Sequence, residues 1–221
     1  MSKTTRDFAI TLDSEERTGK IQTRQRLLSL CLDSIDENSN ILTLPSIYWK
    51  FEKMLFNHIK DKKINIHSFE YDYKLFCVAS LKIPMSRYSH IKQKISDLNY
   101  CKISVKWCDN NLHLHHCNVF EYLKLTEIEF DFMWIDLVSP LDFIKDDIKY
   151  IHDRLSDKGT CILSFLKGRE RIVIENRISF VADILTDMEI IESFEYKDTV
   201  TMINIVLKKK EIINYETLIA L

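Results

Sequence analysis

Residues 40–52, Asn-Ile-Leu-Thr-Leu-Pro-Ser-Ile-Tyr-Trp-Lys-Phe-Glu, constrain the fold of this chain more than any other stretch. An apolar run from Ile41 to Leu44 meets Pro45, and beyond it the apolar positions change from consecutive to helical spacing. Proline has no amide hydrogen to give a central strand, so the chain must leave the sheet there. The pattern predicts a buried strand, a turn, and a covering helix over 47–59 with Phe51, Met54, Leu55 and Ile59 on its inner face.

The same alternation recurs along the chain. A helix over 20–35 precedes the first strand, with Ile21, Leu28, Leu32 and Ile35 at helical spacing. Residues 64–70 alternate apolar and polar side chains and end on Glu70. A helical stretch over 71–80 and a second over 86–98 are expected next, then strand patterns over 101–107 and 112–117. The run 130–138 is apolar except for Asp131 and Asp136, as a strand buried on both faces must be. It leads to a helix over 141–155, with Phe143, Ile144, Ile148, Ile151 and Leu155 inward, and Lys158-Gly159 turns into a strand over 160–165. A helix over 169–186 and two closing strands, 190–196 and 200–207, complete the pattern. Strands alternating with helices argue for an α/β fold with a parallel sheet and right-handed crossovers, to which the closing hairpin adds an antiparallel strand.

At 221 residues the chain is large enough for one substantial core. Residues 1–19 are polar and aperiodic and read as an arm ahead of a single domain over 20–221. The 31 basic and 33 acidic residues nearly cancel, so no overall field points to a nucleic acid or a membrane. No apolar run approaches the roughly 18 residues of a membrane span. The first residues lack the apolar block of a secretory signal, so a soluble protein of the cytoplasm, or at least the cell interior, is expected. In that setting six cysteines without a CxxC pair read as reduced thiols.

This order of elements resembles the class I S-adenosylmethionine-dependent methyltransferases over residues 20–210. The resemblance implies a three-layer sandwich with a mostly parallel seven-stranded sheet, closed by an antiparallel hairpin strand. It also implies an S-adenosylmethionine site. The turn Leu44-Pro45-Ser46 would lie beside the methionine, Glu70 would accept the ribose hydroxyls, and Asn118 and Val119 would lie near the adenine. Asp136, in Asp136-Leu137-Val138-Ser139-Pro140, would orient the methyl acceptor, which the resemblance suggests is a nucleic-acid base. Each residue also has a plainer reading: Glu70 as a solvated acid at a strand end, Asn118 as a helix N-cap, Asp136 as a cap of the next helix. The turn departs from the family. Thr43 stands where an acid is usual, and Pro45, Ile47 and Trp49 stand at the glycine positions, where their side chains would fill cofactor space. A methyltransferase-like domain without cofactor, binding nucleic acid or assembling with a protein partner, is therefore the alternative.

Two other groupings carry chemistry. His113, His115 and Cys117 share one face of a strand, near Cys101 and Cys108, but the spacing fits no standard zinc motif and packing is the favoured reading, so no metal is expected. Lys20, Arg24 and Arg26, with Lys167, Arg169, Arg171 and Arg177, would line a nucleic-acid path on which Tyr48 and Trp49 offer stacking surfaces, or else form ordinary solvated faces.

Overall fold

The computed structural model describes residues 18–45, 48–59, 62–83, 87–95, 98–107, 110–137, 139–168, 176–197 and 200–211. The arm expected over 1–19 lies outside them except for Thr18 and Gly19, which open helix α1 (Thr18–Ser34). Strand β1 (Asn40–Thr43) and helix α2 (Lys50–His58) follow, the unit read from residues 40–52. Next come β2 (Asn65–Glu70), α3 (Tyr73–Leu81), β3 (Arg87–Ile95), β4 (Leu98–Trp107) and β5 (Asn110–His116). Helix α4 (Val119–Leu125) leads to β6 (Phe130–Asp136), α5 (Tyr150–Arg154), β7 (Leu155–Leu166), α6 (Arg177–Ile184), β8 (Met188–Lys197) and β9 (Thr201–Lys209).

Among the described residues all nine strands join one sheet in the order β3-β4-β5-β2-β1-β6-β7-β9-β8. Strands β5, β2, β1, β6 and β7 are parallel neighbours. Strand β9 runs against β7, and β8 against β9. The seven-stranded sheet expected is thus the part from β5 to β8, and the β3–β4 hairpin widens it at one edge. The helix expected over 86–98 is instead β3, paired antiparallel with β4 from Arg87↔Lys106 to Ile95↔Leu98. Ile91, Ile95 and Leu98 do lie at helical spacing. Pairing with a neighbouring strand outweighs that weak local preference.

Side-chain alternation along the central strands builds the three layers. Ile41, Phe132 and Trp134 point into one core, with Leu27 and Cys31 of α1, Phe51 and Leu55 of α2, and Phe76 of α3. Leu42, Met133 and Ile135 point into the other, with Leu123 of α4, Ile151 of α5 and Val181 of α6. The expected helix over 141–155 is a 3-10 turn (Leu141–Phe143), further turns and the short α5, because most amides there bond three residues back. Ile144, Ile148, Ile151 and Leu155 are nevertheless buried, whereas Phe143 is exposed. Gly159 lies inside β7 rather than in a turn before it. A Cβ at Gly159 would stand 2.9 Å from the Phe130 carbonyl oxygen, so the strands pack too closely there for a side chain. Among the described residues no helix is long and apolar enough to cross a membrane.

Candidate functional site

From β1 the chain builds the sheet outward through β2 to β5, then returns to place β6 on the other side of β1. At such a reversal the connections at the strands' carboxyl ends diverge and leave a crevice. Here a cavity of about 460 Å³ opens, within the size range of small-molecule sites. Leu44, Pro45, Glu70, Asn118, Val119 and Asp136 all line it. Ser46 lies outside the described residues.

Each of these side chains is positioned by its element. Glu70 ends β2 in register with His116 of β5, and its Oε1 accepts the Asp72 amide at 2.8 Å. Burial pushes its carboxyl up to about 7, with the backbone amides of Tyr71 and Asp72 opposing the shift. Asn118 is the N-cap of α4, accepting the Phe120 amide at 2.8 Å, so the capping reading holds while the residue also faces the crevice. Asp136 closes β6 opposite Ser164 of β7, and Leu137 and Ser139 continue along the wall.

The turn after β1 differs from its expected form. Trp49 does not fill cofactor space: it is fully buried among the helices on one face, and its indole N–H donates to the Ala79 carbonyl at 2.9 Å. The backbone supplies what glycine would have supplied, since Trp49 takes φ 56 and ψ 39 in the left-handed region. Ile47 lies outside the described residues. Thr43, at the usual acid position, bonds at 2.7 Å to Glu52, a buried carboxylate from the first turn of α2, and at 2.6 Å to Ser68. The carboxylate absent from the strand arrives from the helix.

Several crevice residues were not among those expected at the cofactor site. Thr23 and Arg24 of α1 are buried, and with Lys20 they line the crevice. Arg24 continues the buried stripe of Leu28 and Cys31, so a cation on an apolar helix face was the available sign. Tyr71, Trp134, Asp147 and Tyr196 also contribute to the lining.

Of the basic residues, Lys20 and Arg24 line the crevice, and Lys167 and Arg177 lie together at a separate hollow. Arg26 forms an ion pair with Glu192, and Lys167 bonds Glu195 at 2.8 Å. Arg169 and Arg171 lie outside the described residues. Trp49 is too buried to stack on a base, and Tyr48 packs beneath the Lys82 ammonium, 3.7 Å from the ring centre. The histidines form a buried network: His115 uses both ring nitrogens, one with His67 at 3.2 Å and one with the Tyr100 hydroxyl at 2.5 Å. His113 bonds Ser104 at 2.9 Å. Burial pushes the Cys117 thiol up to about 12. Among the described residues no three His, Cys, Asp or Glu side chains group as a metal site.

Neither a protein-family model nor a curated protein sequence matches the chain. Solved structures do. The N-methyltransferase NodS from Bradyrhizobium japonicum WM9 aligns with a TM-score of 0.58 at 12% identity, covering 89% of this chain and 99% of that one. Trm5b from Pyrococcus abyssi aligns at 0.56 and 10% identity, covering 89% of this chain and 51% of that one. A proposed rRNA methylase from Clostridium thermocellum aligns at 0.56 and 10% identity, covering 89% and 98%. At these identities the likeness is one of fold.

Proposed function

We propose that this chain, which has the class I S-adenosylmethionine-dependent methyltransferase fold, binds S-adenosylmethionine in the crevice and methylates a nucleic-acid base. One observation carries the reading: Glu70 and Asp136, from strands on either side of β1, line the same cavity, and Trp49 leaves it open. When bound, the cofactor supplies a methyl group made electrophilic by its sulfonium.

The protein's part is binding and orientation. Glu70 in its ionised form would accept both ribose hydroxyls, and the Val119 wall would pack against the adenine. Asp136 would hold the acceptor's exocyclic nitrogen in line for transfer. The likeness to the proposed rRNA methylase supports a nucleic-acid acceptor, as does Tyr71, 74% exposed at the crevice mouth, where a base would stack.

Calorimetric titration with S-adenosylmethionine and S-adenosylhomocysteine tests the cofactor site. Both are expected to bind, and Glu70→Ala is expected to cost about 1.5–3 kcal/mol of that binding. Neither ligand binding would end the reading. The glycine-free turn supports a second one, in which the domain has lost its cofactor and serves as a nucleic-acid or protein binding module. Its mark is binding of RNA, DNA or a protein with no heat from S-adenosylmethionine or S-adenosylhomocysteine.

A further inference from the structure

We propose that Arg24 anchors the anionic end of the crevice ligand, its guanidinium pairing with the α-carboxylate of the cofactor's methionine. The inference rests on the cofactor reading above and adds the protein group that fixes the ligand's far end.

Arg24 is only 7% exposed, and what it does expose lines the crevice. Among the described residues no hydrogen bond or ion pair engages its guanidinium. Arg26 on the same helix is paired with Glu192. A cation withdrawn from water without a counter-ion is costly, so the arrangement is complete only when an anion enters. Lys20, one turn earlier on the same face, makes this wall doubly cationic.

Position selects the anion. Helix α1 packs against β6, β7 and β8, whereas Glu70 and Asn118 belong to the β2–β5 side. With β1 between them, β2 and β6 stand about 10 Å apart. A ligand whose ribose meets Glu70 must therefore present negative charge two strands away, as an amino-acid extension on the nucleoside does. A polymer phosphate needs an exposed cation along a surface track, which a recessed Arg24 does not provide. The turn after β1 adds a second argument. Pro45 has no N–H, so that position offers no backbone donor where glycine-rich turns present them. A guanidinium fork offers two parallel donors to a carboxylate in their place.

The test uses the full chain and three ligands sharing one nucleoside: S-adenosylhomocysteine, its carboxyl methyl ester, and 5′-methylthioadenosine. In the unaltered protein S-adenosylhomocysteine is expected to bind roughly 10- to 100-fold tighter than the other two. Arg24→Met, which keeps an unbranched stem, is expected to bring S-adenosylhomocysteine down to the ester's affinity and leave the ester's unchanged. Equal affinities for acid and ester in the unaltered protein would overturn the proposal yet leave the cofactor site standing. So would an Arg24→Met variant that retains full S-adenosylhomocysteine affinity and loses affinity for oligonucleotide instead. Failure of all three ligands to bind would overturn both. The ligand series needs no substitution, so it decides the matter even if Arg24→Met does not fold.

Discussion

A carboxyl raised to about 7 at the crevice makes ligand capture depend on pH in a definite direction. Glu70 accepts hydroxyl hydrogens best when ionised, so affinity for S-adenosylhomocysteine should rise as pH increases through about 7 and level off above it. The effect on the empty fold has the opposite sign. Between the ordinary carboxyl value of about 4.5 and about 7, folded Glu70 holds a proton that the unfolded chain has released, so its contribution to stability falls as pH rises across that window. Calorimetry from about pH 6 to about pH 8 reads the first effect, and Glu70→Gln should flatten the profile. At this scale the sequence was informative where an acid ends an apolar strand. It was silent where a side chain's role depends on a distant partner, as with Glu52 and Thr43, or with His115 between His67 and Tyr100.

The turn from β1 into α2 shows where a bulky residue at a glycine position can go. A bulky residue at a glycine position suggests a blocked site, but Trp49 adopts the left-handed backbone and sends its ring into the core. That conformation costs an ordinary residue roughly 1–2 kcal/mol, against the 3–5 kcal/mol typical of losing a large buried aromatic. Trp49→Gly should therefore lower stability by about 1–4 kcal/mol despite relieving the strain, as measured by urea unfolding. A more stable variant would show that the ring is dispensable. The strands β1 and β6 were legible because burial on both faces leaves continuous apolar runs, and β2 because its apolar and polar side chains alternate. Strand β4 was legible over 101–107 but its partner β3 was not, since that strand at the sheet edge carries no such run.

Across the whole molecule, the order of elements was enough to place the crevice, because a parallel sheet that reverses its strand order can open only at that point. The helix ahead of β1 was expected, and it brings Lys20, Thr23 and Arg24 to the crevice. Helix α1 reaches β8 through the Arg26–Glu192 ion pair, and Tyr196 of β8 lines the same crevice as Lys20 and Arg24. Hydrogen-exchange mass spectrometry should thus find slower exchange in α1 and β8, as well as at the ends of β1, β2 and β6, when S-adenosylhomocysteine is added. Protection confined to the parallel strands would mean that α1 takes no part in binding.

Trp49 gives its position none of a glycine's freedom. A glycine there has to be brought to rest each time a ligand arrives, whereas a backbone pinned by an indole in the interior is already at rest. Recognition here would then lean on groups set in place during folding, with little left for the ligand itself to organise.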